Sequence, residues 1–180
     1  MSDAPQLRRA DKQMTADAAA ELLRLGYCGR LASVGADGWP YVVPLLYVFR
    51  DGEIWVHNSR APGHLRANVD HQNRVCFEVD EPGQVFPYGR YECDTSIAYR
   101  SAVAFGRIRV EPAQQQKQAF FESFMTKYQL RELGRPRNVF PRLDHVTVYA
   151  IAIERITGKE TALPPPDKQW PMLDLTKSPR

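Results

Sequence analysis

The chemically densest stretch of this chain is His57-Asn58-Ser59-Arg60-Ala61-Pro62-Gly63-His64. A strand-type run ends at its start and a helix pattern, about Ala61 to His71, begins within it. Ser59 reads as the helix N-cap, and Pro62 suits the first turn. The start of a helix leaves backbone N–H groups without intrahelical partners and carries the positive end of the dipole. Arg60 adds a planar fork suited to phosphate oxygens. His64 adds a further donor. Those residue types at that spacing are equipped to hold a phosphate, although ordinary helix starts often look the same.

Other chemistries find less support. His57, His64 and His71 are spaced by seven. A zinc site needs further ligands, and no Cys pair or HExxH motif supplies them, so the expectation is no metal. No GxSxG motif or Cys–His partnership points to a nucleophile. Neither GxGxxG after a strand nor GxxxxGK[ST] occurs, which disfavours Rossmann and P-loop nucleotide sites. The net charge of +3 is small and its charges are interspersed, so nucleic acid is not an expected partner. The one denser basic run, Arg131, Arg135, Arg137 and Arg142, reads as a solvated face.

With 43% hydrophobic and 25% charged residues over 180 positions, the chain has the composition of one soluble globular domain. Cys28, Cys76 and Cys93 are odd in number and form no CxxC pair, which fits a reducing compartment. The first residues hold no signal-type apolar segment, and no stretch is long enough to cross a bilayer. A cytoplasmic protein that does not associate with membranes is expected.

The elements that must position the junction read as follows. Residues 1–14 form a polar arm. Thr15 caps a helix, Ala16 to Leu25, that Gly26 stops. Strand runs follow at Arg30–Val34, Tyr41–Phe49 and about Glu53–His57. The first two are joined by Gly35-Ala36-Asp37-Gly38 and the last two by Asp51-Gly52, both turn chemistry. Pro44 lacks a ladder N–H and marks an edge, a bulge or a ligand-facing break. After the helix at the junction comes Arg74–Asp80, which alternates like a half-buried strand. Glu81–Gly89 reads as a loop whose Phe86 and Tyr88 would cover a flat ligand. A long run, Ile97–Val110, has Gly106 where a bulge is expected. A helix from Pro112 to about Leu130 carries Phe120, Phe121, Phe124, Met125 and Tyr128 as an apolar stripe. Val146–Ile156 is the last strand. Residues 161–180 form a tail with consecutive prolines and Trp170, too Pro-rich for a regular element. The sum is mainly β: a small six-stranded antiparallel barrel over 15–160 with helices outside.

Taken in order, GRLASVGADGWPYVVPL, HNSRAPGHLRAN, RVCFEVDEPG and YRSAVAFGRIRV resemble the pyridoxamine 5′-phosphate oxidase-like FMN-binding split-barrel superfamily, and most of all its nitroimidazole-reductase (Nim-type) branch. The resemblance spans about residues 14–156. It implies a homodimer with FMN in a cleft between subunits. The strand holding Val42, Val43, Pro44 and Leu45 corresponds to the one whose backbone lines the isoalloxazine. His57, Asn58 and Ser59 correspond to the strand end that reaches the ribityl chain and phosphate. Arg60, His64 and Leu65 match the phosphate-gripping segment. Arg100 and Ser101 match an Arg-Gln pair near the flavin. Many members carry Lys in the gripping turn, where this chain has Leu65 beside His64. The Arg-x-His substrate pattern of true pyridoxamine phosphate oxidases is absent, so vitamin B6 oxidation is not implied.

The resulting expectation is an FMN-dependent oxidoreductase acting on a small acceptor such as a nitro compound, a quinone or a flavin, with no assigned catalytic side chain. Two alternatives stand beside it. One is a split barrel that stores flavin or haem without turnover, with His57, His64, His71 or His145 as axial ligand. The other is a structural dimer with a degenerate site.

Overall fold

Two edges of one rolled sheet meet at Leu46. In the computed structural model, which describes residues 7–128, 134 and 136–169, seven antiparallel strands take the order β2-β1-β5-β6-β7-β4-β3. They are β1 (Gly29–Val34), β2 (Pro40–Leu45), β3 (Tyr47–Arg50), β4 (Glu53–Ser59), β5 (Arg74–Pro87), β6 (Thr95–Glu111) and β7 (Val146–Thr161). β2 and β3 stand at opposite ends of that order, yet only Leu46 lies between them in the chain. One residue spans less than 4 Å, so the sheet must curl until its edges touch. No ladder pairs β2 with β3 among the described residues, and the barrel is split there.

This corrects the expectation of six strands. The continuous apolar run Tyr41–Phe49 is two strands serving opposite edges. Pro44 does sit on an edge: β2 pairs with β1 alone. The expected loop at 81–89 is largely strand as well. β5 continues to Pro87 with a register shift between Pro82 and Val85, and it buries Phe86. The bulge expected at Gly106 is present as a register shift between Phe105 and Gly106 against β7. A Cβ at Gly106 would fall on the Ala152 carbonyl oxygen, so glycine permits that close approach.

The interior is filled from alternate positions of every strand. Leu31, Ile54, Val56, Phe77, Val79, Ala104, Ile108, Tyr149 and Ile151 are buried there. α1 (Ala16–Leu25) plugs this core with Ala19, Leu22 and Leu23. Its predicted bounds hold: the Thr15 side chain accepts a hydrogen bond from the Ala18 N–H, and Gly26 is the C-cap. α3 (Gln114–Tyr128) covers a second, smaller core outside the barrel, where Phe120 packs with Val48, Trp55, Val148 and Ala150. Met125 is exposed and does not belong to that stripe. Arg131, Arg135, Leu130 and Trp170, and the greater part of the tail, lie outside the described residues. No described helix is long and apolar enough to cross a membrane.

Candidate functional site

β4 delivers the junction. Its pairing with β7 persists through Asn58↔Thr147 and Ser59↔Val146. The Arg60 N–H then donates to the His145 carbonyl at 3.0 Å. The chain is therefore still extended at Ser59, which cannot act as the helix cap. α2 begins later than expected and runs His64–His71, with Gly63 at the N-cap and no side chain closing it. Ser59 Oγ instead accepts from the Ala61 N–H at 3.3 Å. The first intrahelical bond is Ala67 N–H to Gly63 carbonyl. The earlier N–H groups of His64, Leu65 and Arg66 are thus left for water or a ligand.

α2 is clamped to the β1–β2 hairpin. Asn68 is buried and its Nδ2 donates to Ser33 Oγ at 2.9 Å. One turn earlier, His64 stacks on Tyr41 of β2, with centroids 5.3 Å apart and planes 17° from parallel. The uncapped helix start is thereby fixed beside the free edge of β2.

The expected site residues divide. On β2, Tyr41, Val43 and Leu45 pack against the core, whereas Val42 and Pro44 face outward and are exposed. Leu65 is a core residue. It can offer a ligand its backbone N–H but not its side chain. Arg60 and His64 are exposed, and Arg60 Nη1 donates to the Asp144 carbonyl at 3.3 Å.

His57 points the other way, into α3. Its ring lies 5.1 Å from Phe121, 5.1 Å from Phe124 and 5.5 Å from Phe120. Nδ1 is buried without a hydrogen-bond partner, and burial pushes the imidazole pKa down. Nothing in that cage serves a phosphate, so the side chain of His57 leaves the site. Asn58 alternates inward, with Oδ1 buried and unpartnered. Tyr149 is also buried, and burial raises the pKa of its hydroxyl against the pull of neighbouring Asn58.

Arg100 and Ser101 lie elsewhere in the same chain. Arg30 is level with Glu78 and, one strand further, with Val103. Arg100 lies three residues to one side of that level, and Ser33, opposite Tyr41, three to the other. Six residues of strand separate them by about 20 Å. Arg100 pairs with Glu81 at 2.5 Å. Nearby, Arg30 bonds both Glu78 and Asp80. Burial raises the Glu78 carboxyl pKa against the pull of Arg30. Among the described residues no His, Cys, Asp or Glu group is placed to hold a metal.

Sequence reasoning placed Tyr41 on the strand along the ring but missed its side chain, and it missed Trp39. Tyr41 carries the stack on His64, and Trp39 stands 74% exposed two residues before it. Their aromatic character beside a predicted turn was the available signal.

Free helix N–H groups, a cationic fork and an edge strand suit a flat ligand bearing a phosphate, and the donor set fits FMN. The rolled sheet, open between β2 and β3, defines a split barrel. The model of the pyridoxamine 5′-phosphate oxidase family matches residues 15–160, and the chain belongs to that family. No curated protein matches it.

Solved structures share the architecture. A flavocytochrome from Azotobacter vinelandii aligns with TM-score 0.75 and 20% identity, over 91% of this chain and 76% of that one. An FAD- and haem-binding protein from Mycobacterium smegmatis aligns with TM-score 0.71 and 22% identity, over 87% and 78%. A protein assigned to 5-nitroimidazole antibiotic resistance in Bacteroides thetaiotaomicron aligns with TM-score 0.67 and 17% identity, over 82% and 85%. At these identities the likeness is one of fold alone.

Proposed function

We propose that this chain binds a flavin through its FMN unit and uses it to reduce a small acceptor such as a nitro compound, a quinone or a second flavin. The observation that carries this is the uncapped start of α2, pinned by the Tyr41–His64 stack beside the unpaired edge of β2. The free N–H groups of His64, Leu65 and Arg66 receive the phosphate, with Arg60, Ser59 and His64 as side-chain donors. The backbone of Val42 to Leu45 faces the ring. The bound flavin supplies the redox chemistry. The chain's own part is to bind, orient and shield it, a role that calls for no acid–base constellation.

The working unit is a homodimer with the flavin between subunits. Outward-facing Val42, Val85 and Ile97 are exposed apolar residues, and they extend a face that includes Val103 and Phe105. A second copy covers that face and brings its Arg100 and Ser101 toward a site they cannot reach within one chain. The unpaired Cys28, Cys76 and Cys93 fit a cytoplasmic home.

A haem reading draws on the haem-binding M. smegmatis protein and the A. vinelandii flavocytochrome. His57 is enclosed by phenylalanines, so an axial ligand would come from exposed His64, His71 or His145. Titration of the apoprotein with FMN, followed by NAD(P)H-driven reduction of a nitro compound or a quinone, tests the flavin reading. Absence of both binding and turnover refutes it, and a Soret band on haem addition supports the second reading.

A further inference from the structure

Trp39 is held rigidly and shown to solvent. The Gly35 N–H donates to the Trp39 carbonyl at 3.0 Å, and the Gly38 N–H donates to the Gly35 carbonyl at 2.9 Å. The Trp39 N–H donates to Asp37 Oδ1 at 3.1 Å, and Gly38 takes the positive φ of 81° that closes the turn. The backbone is thus locked by local hydrogen bonds, while the indole contributes little to the core at 74% exposure. A large aromatic left in water on a fixed turn is a ready stacking platform.

Its position gives that platform a meaning. The Tyr41–His64 stack marks the phosphate end of the seat. From there β2 runs one way through Val42 to Leu45, the stretch assigned to the flavin ring. The other way it leads to Trp39, two residues and about 7 Å distant, at the turn that precedes β2. FAD is an FMN unit extended at its phosphate by a second nucleotide. A ligand with its ring over Val42–Leu45 and its phosphate at His64 carries that extension toward Trp39. Adenine stacks on aromatic faces without needing hydrogen-bond readout, and the exposed Asp37 carboxylate at the base of the turn is an acceptor for ribose hydroxyls.

The geometry points to Trp39 as the adenine platform of a site that takes flavin adenine dinucleotide in preference to the mononucleotide. This rests on the flavin seat proposed above and names which flavin that seat selects.

The test is calorimetric titration of the apoprotein with FMN and with FAD, in the native chain and in the Trp39→Ala, Trp39→Phe and His64→Ala variants. The native chain is expected to bind FAD about tenfold or more tighter than FMN, the range of one stacked base. Trp39→Ala removes that advantage and leaves the FMN constant in place. Trp39→Phe keeps most of it, and His64→Ala weakens both ligands. FAD binding no tighter than FMN, or a Trp39→Ala change that leaves their ratio intact, overturns the assignment while the flavin seat stands. If neither flavin binds the native chain, the seat and the platform fall together.

Discussion

Tyr41 and His64 lie ring on ring, 5.3 Å apart and nearly parallel, so the edge strand and the start of α2 share one fixed corner. If that corner holds a phosphate, its strength follows the donor at position 64. His64→Ala is expected to weaken FMN binding about tenfold, near the lower end for a hydrogen bond to a charged group. His64→Lys, which places an ammonium group at the phosphate, tightens it by a similar factor. Fluorescence titration at low salt measures both, and the Lys advantage shrinks as salt rises.

His57 makes the stability depend on acidity. Its pKa is lowered by burial among Phe120, Phe121 and Phe124, so the unfolded chain binds a proton there more readily than the folded one. Its contribution to stability is complete above the ordinary histidine value of about 6.5. It is lost as pH falls from that value toward the lowered one, because ν for the unfolded state then exceeds ν for the folded state. Urea unfolding from pH 7.5 to 5 measures the slope, and His57→Phe is expected to flatten it.

The Tyr128 hydroxyl ties three segments together. It donates to the carbonyl of Tyr27 at 2.6 Å or of Tyr47 at 2.9 Å, and accepts from the Tyr47 N–H at 3.1 Å. Tyr128→Phe keeps the ring and strands a partly buried N–H at the split between β2 and β3. A loss of about 1–3 kcal/mol is expected, read as a lower urea midpoint with an unchanged m-value.

Phe120 is fully buried at the centre of the outer core. Phe120→Ala is expected to cost about 3–5 kcal/mol. Flavin binding in the variant that still folds should change little, because Phe120 packs with Val48, Trp55, Val148 and Ala150 and not with Tyr41 or His64. A parallel fall in affinity would show that α3 supports the seat.

Features written in local chemistry were legible in the sequence. Thr15 and Gly26 bound α1 because capping is decided within one turn. Asp51-Gly52 takes the expected positive φ values. Features decided by distant pairing were not. The break at Leu46 lies inside an apolar run that looks like one strand, and only sheet closure divides it. Ser59 and Pro62 carry helix-start signals, yet the ladder from Ser59 to Val146 and the Arg60–His145 bond hold the chain extended past them. Phe86 looked like a loop aromatic because Pro82 and Gly83 precede it, and the register shift in β5 absorbs both. Of the site, the junction and the edge strand could be read. The turning away of His57 into α3 and the burial of Leu65 could not, because each depends on which face meets which neighbour.

The central claim is a flavin seat at the start of α2, and the most direct measurement is calorimetric titration of the purified apoprotein with FMN and FAD beside riboflavin, which lacks the phosphate. Saturable binding of the phosphorylated flavins, at least tenfold tighter than riboflavin and weakened by His64→Ala, is the predicted result. Equal affinity for riboflavin, or no binding of any of the three, would contradict it.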